Sequence, residues 1–282
     1  MILVTGASGT TGSRVVRQLT ERGVAVRAMT RSTLDPAPGV EVVRADFDDP
    51  ASLAEAVTGV DAVYLVTAAT TPTPHHDLAL LAAATAAGVR RVVKLSAIGT
   101  GERFDGAVVG AWHLAAEDAV RASGLEWTIL RPPNFASNLL WYAAAVRAGD
   151  PLPNMTGTGR IGVIDPADIA AVAAEALTTS LHIGQTYTLT GPELLGMPDQ
   201  ADILARVLGR PVGHVDLSVE ESQAQLVASG MTPEAVAAAS LGMRWARAGQ
   251  AEILTDTVTT VLGRKPGTVE QWVTEHAAAF TS

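Results

Sequence analysis

The chain of 282 residues carries a net charge of −9, with 17% charged and 48% hydrophobic side chains and no cysteine. That composition belongs to a packed globule, and without a basic run it argues against attraction to nucleic acid or to an anionic membrane. Lack of cysteine excludes disulfides, thiolate nucleophiles and cysteine-ligated metal, and no apolar run reaches the ~20 residues of a membrane-spanning helix. A strand pattern that begins at the initiator Met1 leaves no room for a signal peptide, so the expected location is cytoplasmic.

The first stretch is an apolar run that turns through Gly6, Gly9 and Gly12 into a segment with Val15, Val16 and Leu19 on one face. Strand, tight glycine turn and helix make the front half of a βαβ unit. In such a turn one glycine reverses the chain, one leaves room for a pyrophosphate, and one lets helix and strand approach. The helix N-terminus then offers free amides to the phosphates, so Gly6, Ser8, Gly9, Thr10, Thr11 and Gly12 are the expected dinucleotide contacts. A Walker-type loop is excluded, since no Lys-Ser or Lys-Thr pair follows Gly6.

The spacing is Gly-x-x-Gly-x-x-Gly. The run from Val4 to Gly12 resembles the atypical short-chain dehydrogenase/reductases of the NmrA-like group, which includes quinone reductases, azo-dye and triphenylmethane dye reductases, and non-catalytic redox sensors. Strand two is expected over Val24 to Met29. An NAD site would place a carboxylate just beyond it to hold the ribose 2′-hydroxyl, whereas this chain has Arg31. An arginine fork suits a 2′-phosphate, so NADP(H) is the expected cofactor, with NAD(H) possible.

Val40 to Arg44 reads as strand three, and the resemblance implies that Asp46 and Phe47 after it lie beside the adenine, though a plain turn aspartate fits equally. A helix from Pro50 to Val57 leads to strand four at Asp61 to Val66, with Thr67 and Ala68 at the carboxyl end where ligands bind in open parallel sheets. Adjacent His75 and His76 lack the i, i+4 geometry of a paired metal site, and no metal is expected. Strand five, Arg90 to Ser96, puts Lys94 and Ser96 on one face. Lys94 is a candidate cofactor contact. The resemblance implies a catalytic serine at Ser96, and backbone capping is the alternative.

In the parent superfamily a Tyr-x-x-x-Lys pair follows on a helix; here Val109 and His113 stand at those positions, so the usual tyrosine acid is missing. His113 with Glu117 at i+4 resembles the His-x-x-x-Glu arrangement of the dye and quinone reductases. Residues four apart share a helix face, so Glu117 could orient the imidazole or raise its pKa; an exposed ion pair is the alternative. His113, Ser96 and Glu117 are thus the candidate catalytic residues. Glu126 to Arg131 is strand six, and Pro132, Asn134 and Phe135 after it resemble the loop that meets the nicotinamide carboxamide. Asn138, Trp141 and Tyr142 could wall a substrate pocket, although packing explains Trp141 as well.

Past residue 150 the alternation loosens. Asp165, Pro166 and Asp168 read as a helix start, Gln185 to Thr190 as a strand returning to the main sheet, and Thr268 with Gln271 as a capping box on a last helix. The expected fold is α/β, a doubly wound parallel sheet (Rossmann fold), with residues 1–150 binding NAD(P) and residues 151–282 covering the substrate. The implied activity is hydride transfer from NADPH to a quinone, dye or polyketide-like enone. The competing readings are an NADP(H) sensor without turnover and, third, a simple alcohol dehydrogenase. The expected partner is a small aromatic or conjugated molecule, with the chain a monomer or homodimer.

Overall fold

The computed structural model describes residues 1–32, 35, 38–67 and 72–281. In chain order the elements are β1 (Ile2–Val4), α1 (Gly12–Glu21), β2 (Val26–Thr30), β3 (Val40–Arg44), α2 (Pro50–Val57), β4 (Ala62–Leu65), α3 (His75–Ala86) and β5 (Arg91–Leu95). A two-residue hairpin of β6 (Arg103–Phe104) and β7 (Ala107–Val108) precedes α4 (Ala111–Ala122) and β8 (Glu126–Arg131). A 3₁₀ turn over Ala136–Tyr142 leads to α5 (Ala143–Ala148), β9 (Leu152–Asn154), α6 (Pro166–Thr178), β10 (Gln185–Thr188), α7 (Met197–Leu208) and β11 (His214–Asp216). Four helices complete the chain: α8 (Val219–Ala228), α9 (Pro233–Arg247), α10 (Thr257–Leu262) and α11 (Val269–Glu275).

Seven strands form one parallel sheet in the order β10-β8-β5-β4-β1-β2-β3. The order reverses between β1 and β4, which opens a crevice at their carboxyl ends where such sheets bind ligands. The inner strands are buried on both faces, whereas the edge strands β3 and β10 are only half-buried or exposed. Ile2, Val4, Tyr64, Val93 and Leu130 pack with α1 and α6, while Leu3, Val63, Val92 and Ile129 pack with α2, α3 and α4. Alternation along β5 therefore aims Lys94 at the α3 side, opposite Val93 and Leu95. Although α6 and β10 lie past residue 150, both belong to the layers of this sheet.

Strands β4, β5 and β10 are shorter than expected by one or two residues at their ends, and two other differences have local reasons. Strand β2 starts at Val26 because the Val24 amide is spent closing the helix end on the Leu19 carbonyl at 3.0 Å. Val109 lies ahead of α4, since Gly110 takes φ +59 before the helix begins, so no residue occupies the tyrosine position within the helix. The caps at Asp165 and Thr268 form with their expected partners: Asp165 accepts from the Ala167 amide at 2.8 Å and Thr268 from that of Gln271 at 3.1 Å.

Candidate active site

The glycine turn follows β1. Gly6 adopts φ +56, a left-handed conformation that side chains rarely take, and a Cβ there would lie 2.9 Å from Val66. A Cβ on Gly12 would come within 2.6 Å of the Gly6 carbonyl carbon, so this glycine seats α1 against the turn. A Cβ on Gly9 would touch only the Gly6 oxygen, at 3.2 Å, and otherwise face open space. Gly6, Ser8, Gly9 and Thr10 are exposed beside the α1 N-terminus, while Thr11 and Gly12 are buried. Open backbone at a helix start is what a pyrophosphate requires. Thr5 fixes this turn to the end of β4: its hydroxyl accepts from the Val66 amide at 2.8 Å and bonds the Val66 carbonyl at 2.8 Å.

These glycines give separate expectations. Gly12→Val should unfold or distort the turn itself, lowering thermal stability, because the added atoms meet backbone. Gly9→Val should fold normally and lose dinucleotide binding by at least ~10-fold, since its side chain projects into phosphate space. Melting curves with cofactor titration by fluorescence separate the two.

Across the sheet, Glu117 of α4 is completely buried and gathers three donors. Arg131, the last residue of β8, binds it through a fork at 2.8 and 2.6 Å, Ser96 donates at 2.6 Å, and Arg121 at 2.7 Å. Burial pushes its carboxyl pKa up, but the hydrogen bonds from Arg131, Ser96 and Arg121 outweigh this and hold it below its ordinary value. Beneath the same region lies a second buried pair. The Lys94 ammonium sits 2.7 Å from the Asp77 carboxylate, both enclosed, and donates to the Leu95 carbonyl at 2.7 Å; Thr67 donates to Asp77 at 3.0 Å.

His113 stands between these pairs and a cavity of about 460 Å³. Burial, and then the nearby Lys94, lower its pKa to about 4, against a smaller upward pull from Asp77 and Glu117. The ring is therefore neutral at pH 7, and its buried Nδ1 has no hydrogen-bond partner among the described residues. The cavity is walled by Trp112, Pro132, Asn134, Trp141 and Tyr142 on one side and roofed by Leu226, Ala238, Ala239, Gly242, Met243 and Trp245 from α8 and α9.

A family profile described as NAD(P)H-binding matches residues 6–180, from the glycine turn through α6. The chain belongs to this NAD(P)H-binding family. Over 99% of both chains it is 38% identical to the (4-alkanoyl-5-oxo-2,5-dihydrofuran-3-yl)methyl phosphate reductase of Streptomyces griseus. It is 37% identical, again over 99% of both chains, to an NAD(P)H azoreductase of Xenophilus azovorans. Its structure superposes on that of an Escherichia coli NADPH-dependent quinone oxidoreductase complexed with NADPH, with a TM-score of 0.83, 25% identity and coverage of 98% and 100%. These relatives place it in the NmrA-like, atypical short-chain dehydrogenase/reductase group.

Several residues expected at the site of this NAD(P)H-binding protein have other work. Lys94 is enclosed on the α3 side of the sheet with its ammonium on Asp77. Ser96 is buried with its hydroxyl on Glu117, and Glu117 serves Arg131 and Arg121 in place of His113. Both hold the start of the Arg131-Pro132-Pro133-Asn134 loop. In the loop that resembles the carboxamide-binding one, the Pro132 carbonyl already accepts from the Ile98 amide at 2.9 Å. Asn138 is absent from the cavity wall, whereas Trp141 and Tyr142 line it.

Arg31 is exposed at the end of β2, and Asp46 is exposed next to Phe47, which stacks on His76 with ring centroids 5.0 Å apart. Thr67 lies at the end of β4, and Phe135 pairs with Ile164; Ala68 lies outside the described residues. The described residues hold no group of three His, Asp or Glu able to bind a metal, and no helix long and apolar enough to cross a membrane. Sequence reasoning missed Thr5, Asp77 and Arg131, and it missed the α8 and α9 roof. The small residues of α9 at 238, 239 and 242 were the available signal, but they repeat as a core-facing stripe does.

Proposed function

We propose that this chain is an NAD(P)H-dependent reductase that transfers hydride to a conjugated or aromatic acceptor such as a quinone, dye or enone, with NADPH the preferred donor. The observation that carries this reading is the cavity, which joins the Asn134 loop and neutral His113 to a wall of aromatic side chains. Residues fit the cofactor: the exposed backbone at Gly6 to Thr10 would hold the pyrophosphate, Arg31 the 2′-phosphate, and the loop after Arg131 the nicotinamide end. When bound, the cofactor supplies the hydride.

The chain contributes position and hydrogen bonds. The Glu117 cluster fixes the loop, and His113 offers a ring nitrogen to a ribose hydroxyl or to the acceptor. The Tyr142 hydroxyl makes no hydrogen bond to another described residue, and burial raises its pKa, so this cavity-lining side chain stays protonated. A quinone or enone carries the developing negative charge itself and can take its proton from water, so the missing tyrosine acid does not stop turnover. Residues 1–150 supply the dinucleotide half and residues 151–282 most of the substrate cover. Screening NADPH oxidation against quinones, azo dyes and enones tests the reading; tight NADPH binding with no acceptor reduced would overturn it in favour of a cofactor sensor.

Two further outcomes are expected. NADPH should bind at least tenfold more tightly than NADH, a difference of about 1.4 kcal/mol, and Arg31→Ala should abolish that preference; equal affinities in the wild type would remove Arg31 from the 2′-phosphate. His113→Ala should lower kcat/KM by ~10-fold to 100-fold with little change in NADPH affinity. Because the His113 pKa is about 4, the wild-type profile should show no histidine inflection between pH 6 and 8.

A further inference from the structure

The walls of the active cavity contain no Asp, Glu, Lys or Arg among the described residues, and the histidine they contain is neutral. Cations next to the wall residues are paired elsewhere: Lys94 with Asp77, Arg160 with Asp199 and Arg244 with Asp105. Arg131 forks onto Glu117, and Arg247, one turn from Met243 on α9, donates to the carbonyls of Met155 and Leu217 at 2.9 Å each. None of these cations is among the residues that line the cavity.

The polar side chains of the wall are mostly spent as well. Asn154 donates to Gly157 and Asp216, Thr156 bonds Asn154, and Gln200 donates to Gly196. What remains for a ligand is the His113 ring, the Asn134 amide, the Tyr142 hydroxyl and the unused part of the Gln200 amide, all of them uncharged, apart from indole N–H groups. Such a set can hydrogen-bond one or two carbonyl oxygens. It cannot neutralise a full charge, and a desolvated anion without a counter-charge is strongly disfavoured. The net charge of −9 adds long-range repulsion of the same sign.

Resting on the reductase reading above, we infer that the cavity selects uncharged planar carbonyl acceptors and rejects those that carry a phosphate, sulfonate or carboxylate. This specificity separates the chain from its Streptomyces griseus relative, whose name includes a phosphate. The volume of about 460 Å³ lies within the range of small-molecule sites, with Trp112 and the α9 residues among its walls. The charged group of an anionic analogue would have to stay at the mouth, near Trp141, which is 76% exposed.

The test compares 1,4-naphthoquinone, its 2-sulfonate and its 2-methylsulfonyl derivative. Each takes one hydride from NADPH and one proton from water to give the hydroquinone. The sulfone matches the sulfonate closely in size without its charge, and both substituents withdraw electrons, so in solution each makes the ring easier to reduce. With no cysteine in the chain, thiol adducts do not interfere. The expected kcat/KM for the sulfone is at least ~100-fold above that for the sulfonate, after subtraction of the uncatalysed rate.

Quenching of tryptophan emission, with Trp112 and Trp245 in the walls, gives binding independently of turnover and should rank the three ligands in the same way. A sulfonate within threefold of the sulfone in both measurements would overturn charge selection and leave the reductase reading intact. If none of the three is reduced but binding still favours the neutral ligands by tenfold or more, the selection stands and the reductase reading falls. Discrimination against the sulfone as strong as that against the sulfonate would assign the effect to size and overturn the inference.

Discussion

Glu117→Ala should cost about 3 kcal/mol of folding stability and lower the melting temperature by ~6–12 °C. The carboxylate is wholly buried and joins α4 to the ends of β5 and β8 through Ser96 and Arg131. Removing it leaves the Arg131 fork facing Arg121 with nothing between them, which is costlier than losing a surface pair. The figure sits at the low end of the range for buried pairs because the side chains of Arg131 and Arg121 are 22% and 32% exposed and can recover some hydration. Hydrogen bonds hold the folded pKa of Glu117 below its unfolded value, so its contribution is complete above the ordinary carboxylate range. It is lost as the pH falls through the lower folded value. Glu117→Gln keeps the shape and loses the charge, and it should remove this part of the acid sensitivity. Urea melts at pH 7 and pH 3.5 measure both effects; equal stability of wild type and Glu117→Ala would show that the network contributes nothing.

The same residue shows where the sequence stopped being legible. A glutamate at 117 has helix neighbours at i−4, His113, and at i+4, Arg121. The i, i+4 rule favours a glutamate ahead of a cation, which is the Arg121 contact seen here. Its strongest partners, Arg131 and Ser96, come from other strands and cannot be inferred from spacing. The glycine turn was legible because strand, turn and helix are all local. Even so, the glycines divide their work differently from the expectation, since Gly12 faces the Gly6 backbone and only Gly9 faces open space.

The elements most legible from sequence were those with clear punctuation. β3, α2 and β8 span the expected residues, bounded by glycine, proline or an aspartate cap. Lys94 shows the opposite limit. Alternation placed it correctly on one face of β5, but which face meets the ligand and which meets α3 depends on how the helices wrap the sheet. The cavity roof failed for a similar reason: Ala238, Gly242 and Trp245 repeat at helical spacing whether they meet a core or a ligand.

Lys94→Met should be the most damaging of the charge substitutions, at about 3–5 kcal/mol, because it strands the Asp77 carboxylate in the interior with Thr67 as its remaining donor. Lys94 is 0% and Asp77 2% exposed, so neither can turn to water when its partner is removed. Asp77→Leu should cost a similar amount by stranding the ammonium. The double variant Lys94→Met/Asp77→Leu should recover much of the loss, since an apolar pair avoids desolvating either charge. The double-mutant cycle in urea measures the coupling, and additive losses would rule out a functional ion pair.

His113 provides a second readout. Burial and then Lys94 hold its pKa near 4, so in Lys94→Met it should rise toward its ordinary value of 6.5, followed by NMR of the ring protons. In the wild type the folded pKa lies below the unfolded one, so the histidine's contribution is complete above 6.5 and drains away as the pH falls to about 4. Raising the folded pKa narrows that window, and the variant should lose less additional stability between pH 6.5 and 4 than the wild type does. An unmoved His113 titration would place Lys94 too far away to govern the imidazole and leave burial, with a smaller contribution from Arg131, as the cause of its neutrality.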